Sequence, residues 1–220
     1  MNNVVGGACA ILNFLEEGDH LAVVTFDDGQ DVVSDLKEVT PLGITILEQK
    51  LKLVDEDDAS GGSSLHDTIV RSTGVIMEKW RSMRLASQGA AELGVFWLIV
   101  MVAGADTCSA RSIRDAAEAL RALAEVNRQA RAPMVRACFL GVGMTDQSHA
   151  ALEFLATSCG NIATVLRVTK PRAVHPAVVA LLKKMSESVN RAPPRVVVQV
   201  AGGIPAGTHV RVVGISRGAG

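Results

Sequence analysis

The chain has 220 residues, 48% of them hydrophobic and 20% charged, with a formal net charge of -1. This is enough apolar material for one core, or one core with a small annex, and it excludes a chain that stays disordered. The near-neutral balance gives no electrostatic reason to expect nucleic acid or an anionic membrane as partner.

No apolar run reaches the roughly 18 uninterrupted residues of a membrane-spanning helix. The start, Met1-Asn2-Asn3-Val4-Val5-Gly6-Gly7, lacks the basic residues of a signal peptide. The expectation is a cytoplasmic chain. The four cysteines, Cys9, Cys108, Cys138 and Cys159, form no Cys-x-x-Cys pair, so they read as mostly buried thiols of a reducing compartment.

In chain order, Ala8, Ile11, Leu12 and Leu15 recur at helical spacing, and Gly18 stands where a helix would be capped. Leu21 to Phe26 (LAVVTF) reads as a buried strand. The hairpin signal Asp27-Asp28-Gly29 follows, and Val32 to Val39 reads as a more polar edge strand. Pro41 to Leu53 reads as a linker with a short helix, and Asp55 to Asp58 as a solvated acidic run.

Gly61-Gly62 breaks the chain, and Ser63 or Ser64 caps a helix whose inner face carries Leu65, Ile69, Ser72 or Thr73, and Ile76 or Met77. Ser82 to Gly94 reads as an irregular, mobile connection. The unbroken apolar run Phe96 to Val102 then marks a buried parallel strand. Ser112-Ile113-Arg114-Asp115 has capping-box spacing, and Ile113, Ala117, Leu120 and Leu123 or Ala124 form a helical stripe. Val135 to Val142 is a strand, His149 to Ser158 a helix, Ile162 to Val168 a strand and Pro176 to Val189 a helix. Beyond Pro193-Pro194, Arg195 to Ala201 and Thr208 to Ile215 read as two strands of a hairpin. The alternation predicts an α/β fold: an open, doubly wound, mostly parallel Rossmann-like sheet with helices on both faces, plus that C-terminal hairpin.

Ser64, His66 and Asp67 have the residue types of a hydrolase triad. They lie too close together on one helix start to converge on one substrate atom, so cap and surface roles are expected. Asp55 to Asp58 invites calcium, but counting from Asp55 puts Ser60 at position six and His66 at position twelve, where an EF-hand needs Gly and Glu. The histidines His20, His66, His149, His175 and His209 show no metal-ligand spacing, and Trp80 and Trp97 read as packing residues.

Four stretches carry a family resemblance. "LNFLEEGDHLAVVTFDD" (Leu12 to Asp28), "GGSSLHDTI" (Gly61 to Ile69), "LIVMVAGADT" (Leu98 to Thr107) and "FLGVG" (Phe139 to Gly143) with "LEFLATSCGNI" after it follow one another in order. Together they resemble the von Willebrand factor type A domain, the integrin inserted-domain fold, over about Ala8 to Ser188. The resemblance implies a magnesium site at the top of the sheet. Its ligands would come from an Asp-x-Ser-x-Ser loop after a first strand, a Thr in a second loop and an Asp after the fourth strand. The Thr position matches Ser63 and the Asp position matches Ala103, which has no ligating atom. Asp106, three residues on, is a substitute carboxylate in reach of sequence, but such an Asp more often supports the local turn or following helix. The Asp-x-Ser-x-Ser loop has no counterpart, because the chain enters the fold about where the family's first helix begins. The implied site is therefore degenerate, and neither magnesium nor another cofactor is expected.

The expected function is a non-enzymatic interaction module that binds another protein. Its rim is Asp27, Asp28, Gly62, Ser63, Ser64, Gly104, Asp106 and Thr107. The alternatives are a fragment of a larger protein of this family, ubiquitin-ligase-like or adhesion-like, and a hydrolase with an unrecognised site. In the family the first strand lies between the strands matching Leu21 to Phe26 and Phe96 to Val102. The favoured arrangement divides the chain into an α/β domain (residues 1–192) and a detached hairpin, or the start of a truncated β-domain (193–220). The alternative puts Arg195 to Ala201 into the vacant central position.

Overall fold

The structure, a computed structural model, describes residues 3–15, 19–26, 30–54, 63–86, 95–129, 135–189, 195–202 and 210–211. Six helices are described among these: α1 (Asn3–Leu12), α2 (Pro41–Val54), α3 (Leu65–Ala86), α4 (Ile113–Gln129), α5 (Asp146–Ser158) and α6 (Val174–Val189). The strands are β1 (His20–Phe26), β2 (Gln30–Glu38), β3 (Val95–Val102), β4 (Val135–Val142), β5 (Ala163–Val168), β6 (Arg195–Gly202) and the short β7 (Val210–Arg211).

The period-two pattern of the strands sets the layers. In β3, Trp97, Ile99 and Met101 join a core with Ala8 and Ile11 of α1, Leu47 and Leu51 of α2, and Val174 and Val178 of α6. The alternate residues Phe96, Leu98, Val100 and Val102 join a second core with Leu65, Ile69 and Ile76 of α3, Leu120 of α4 and Leu152 of α5. A strand buried on both faces must be apolar at every position, which is why Phe96 to Val102 carries no polar residue. The fold is thus mixed α/β, with helices on both faces of a mostly parallel sheet. Gly7 lets α1 approach α6 closely, since a Cβ there would sit 3.1 Å from a Val174 methyl and 3.2 Å from one of Val178.

Strand order is β2-β1-β6-β3-β4-β5. β2 runs antiparallel to β1 at the edge, with Phe26 opposite Gln30, as the hairpin signal predicts; the turn residues Asp27 to Gly29 lie outside the described residues. The remaining neighbours on this path pair in parallel. β6 sits in the middle. It pairs with β3 from Val95↔Arg195 to Val102↔Gly202, and with β1 from His20↔Val196 to Val24↔Val200.

This corrects the favoured arrangement of the C-terminus. Arg195 to Gly202 is not a detached hairpin arm but a strand of the sheet. β7 does not pair with β6; it lies antiparallel on β1, with Thr25↔Arg211 and Phe26↔Val210. The physical reason is the vacancy itself. With no strand between β1 and β3, both would present unpaired backbone groups in the interior, each costing roughly 1–3 kcal/mol. An apolar, β-branched strand is the segment suited to fill that position.

Two local readings also change. Pro41 to Val54 is a full helix of 14 residues. Pro41 opens it, where a missing N–H costs nothing, the Gly43 amide donates to Thr40 Oγ1 at 3.1 Å, and Leu47 and Leu51 are buried. Helix α3 continues through Ser82 to Ala86, the first part of the expected irregular connection; residues 87–94 lie outside the described residues. No described helix is long and apolar enough to cross a membrane.

A chain ending at residue 192 is expected to lose its cooperative unfolding transition. Several interior backbone groups on β1 and β3 would be orphaned, and their summed cost reaches the roughly 5–15 kcal/mol that holds a domain together. Denaturant unfolding followed by circular dichroism is the check, and a truncated chain with an unchanged midpoint contradicts it.

Candidate functional site

Because β1, β6, β3, β4 and β5 run parallel, their carboxyl ends share one edge of the sheet, where ligands of open α/β folds sit. Two of the chain's loops meet there: the start of α3 and the loop from Ala103 to Ser112 that follows β3.

The start of α3 leaves amide donors without helical partners. Two of them are met from the other loop. Asp106 Oδ2 accepts from the His66 amide at 2.8 Å, and Ser109 Oγ accepts from the Asp67 amide at 3.1 Å. Asp106 is fixed in turn by Ser109, whose hydroxyl donates to Oδ2 at 2.5 Å and whose amide donates to Oδ1 at 3.2 Å. His66 Nδ1 lies 3.2 Å from Asp106 Oδ2. The favour is returned from α3, where the two oxygens of Asp67 accept from the amides of Ala110 and Arg111, both at 2.9 Å. One level deeper, the Ser63 amide donates to Thr107 Oγ1 at 2.9 Å, and the Ser63 carbonyl accepts from the amides of Thr107 and Cys108, each at 2.9 Å. The two loops are stapled by reciprocal carboxylate caps.

The expected capping box is present at the next helix. Ser112 donates to Asp115 Oδ2 from its amide and from its hydroxyl, both at 2.7 Å. These bonds, the hydroxyl's first, hold the Asp115 carboxyl below its ordinary value of 3.8.

Several expected site residues meet here. Ser63, Asp106 and Thr107 are drawn together, and Ser64 is the buried residue whose carbonyl accepts the first turn's Thr68 amide. Gly104 is half-buried in the same loop. Asp27, Asp28 and Gly62, together with the acidic run Asp55 to Asp58, lie outside the described residues. The segment Gly143 to Gln147 forms its own cluster, in which Arg167 bonds Asp146 at 2.5 Å and the Thr145 hydroxyl accepts the Ser148 amide at 3.2 Å. Asp106 does support its local turn, but the helix it caps is the preceding α3, not the following α4. Ser64, His66 and Asp67 do not assemble as a triad: His66 faces Asp106, and the Asp67 oxygens are taken by backbone amides.

Sequence reasoning expected cap and surface roles for Asp67 but not its partners, the Ala110 and Arg111 amides, and it gave Ser109 no part in holding the turn. The Asp106-x-x-Ser109 spacing is a local signal for the turn. The partners across more than forty residues leave no local signal.

A magnesium ion does not fit the residues present. Ala103 offers no ligand, and both Asp106 oxygens accept protein hydrogen bonds. The Ser63 hydroxyl is buried without a partner among the described residues, but it is a single neutral oxygen, whereas a protein magnesium site supplies at least one carboxylate with waters completing the octahedron. No group of three or more His, Cys, Asp or Glu side chains gathers among the described residues.

The cysteines divide by burial. Cys9, Cys138 and Cys159 are buried, and burial pushes the Cys159 thiol up to about 12. Cys108 is exposed on the stapled loop.

Replacing Asp106 by Ala is expected to destabilise the fold by about 1–3 kcal/mol, since a helix cap and several hydrogen bonds to a charged acceptor are lost together. A lowered urea midpoint at unchanged slope is the signature. Charge reversal at Asp106 is expected to lower the midpoint for the same reason. Calorimetric titration with magnesium, manganese or calcium is expected to show no saturable binding tighter than about a millimolar, the range of the weakest protein calcium sites. Saturable binding abolished by Ser63→Ala would overturn that.

No protein-family model matches this chain, and no curated protein sequence matches it either.

Proposed function

We propose that the chain is a protein-binding module of von Willebrand factor type A kind, working without a metal, and that it grips its partner through the loop following β3. One observation carries this reading. The stapling bonds engage the Asp67 and Asp106 carboxylates and leave Ala105, Thr107, Cys108, Ala110 and Arg111 exposed on a loop fixed at both ends. A pre-ordered loop loses little conformational entropy when it docks, which is what a recognition surface requires. The strand order gives further support, since the place between β1 and β3 that the family's first strand takes is filled here by β6.

The reading separates two kinds of rim residue. Asp106, Asp67 and Ser109 build the surface; Ala105, Ala110 and Arg111 present it. Variants of the first kind disturb folding and say little about contact. Ala105→Arg and Ala110→Arg alter only exposed side chains, and the Ala110 amide remains free to donate to Asp67.

Both variants are expected to lose most partner capture in proximity labelling in the source cell while keeping the wild-type unfolding midpoint. Recovery of the same proteins at the same yield would remove this loop from the interface.

A further inference from the structure

The central strand has an unusual place in the chain. β6 bridges β1 and β3, yet among the described residues it follows every helix and every other long strand in sequence. Among the described residues no ladder joins β1 directly to β3. The pair β2-β1 and the trio β3-β4-β5 therefore become one sheet only when the C-terminal strand enters between them.

We propose that this groove also accepts β6 from a second copy of the chain, giving a strand-exchanged dimer.

Two features favour a second copy as occupant. The groove fixes both direction and register, because the entering strand must run parallel to β1 and β3 at once. A second copy supplies the same strand in the same register, so every bond of the closed monomer is remade and the net cost is that of association. Next, β6 reads Arg195-Val-Val-Val-Gln-Val-Ala-Gly202, with one charge, at its first residue, and the whole chain carries a net charge of only -1. Neither the strand nor the long-range field opposes a second copy, whereas natural sheets bar such pairing with charges along the strand.

β7 travels with the exchanged segment. Its two residues pair with β1 just beyond the last β6 partner, at Thr25 and Phe26, so the same edge of β1 receives both strands.

Leu98 and Val198 are register partners across the β3–β6 ladder, and a cysteine at each reports whose strand fills the groove. One chain carries Leu98→Cys, a second carries Val198→Cys, and the two are unfolded, mixed, refolded and oxidised. Peptide mapping then distinguishes the 98–198 link from any link through Cys108. The expected result is a covalent heterodimer joined at 98–198. In untagged wild-type chain, light scattering should show a dimer whose ratio to monomer about doubles for each doubling of protein while monomer dominates, as mass action requires. The double variant Leu98→Cys/Val198→Cys in one chain tests the register by forming the link internally. The proposal is overturned if the double variant links internally while the mixed single variants never link and the wild type stays monomeric at every concentration. It is equally overturned if the double variant forms no link at all, because β6 would then not be the central strand.

Discussion

Backbone pairing on both sides of one strand, Arg195 to Gly202, makes this molecule a single sheet. A parallel sheet wrapped on both faces has no water to satisfy its interior amides and carbonyls, so every position between two strands must be occupied by another strand. The two cores depend on this indirectly. Side chains of β1 and β3 contribute to both, and they hold their spacing across the sheet only while the strand between them is in place. The last long strand of the chain thereby controls the packing of helices that precede it.

At the carboxyl edge of the sheet a second constraint operates on a smaller scale. The start of α3 presents unsatisfied amides and a positive dipole end, which in many α/β proteins attract an anionic ligand. Here the protein supplies its own anion. Asp106 accepts from α3, and Asp67 on α3 accepts from the loop that carries Asp106. Two carboxylates that look like ligands or acid–base groups in sequence are spent on holding two loops together. The rigidity that these bonds give the edge is the basis of the proposed interaction reading.

Much of the secondary structure was legible because it depends on local periodicity. The strand Val135 to Val142 has the bounds its apolar run predicts, and the stripe Ala117, Leu120 and Leu123 is the buried face of α4. Helix α2 was underread because its short apolar spacing, Leu47 to Leu51, is weak without a sheet beneath it. The end of α3 was underread because Ser82 to Ala86 carries no pattern that distinguishes a helix from a loop. At the candidate site, the Ser112–Asp115 box was legible since both partners sit within one turn. The Asp106–His66 and Asp67–Ala110 bonds were not, since each joins residues about forty positions apart.

What the sequence determined by itself was the alternation of apolar strands and capped helices, the absence of a ligating side chain at Ala103, and the β-branched character of Arg195 to Ala201. All of these are properties of single residues or short windows. Tertiary structure alone decided where that last strand goes and which helix Asp106 caps. Both outcomes turn on backbone groups far apart in the chain that must find partners once water is excluded, and no local pattern encodes which distant segment will meet that demand.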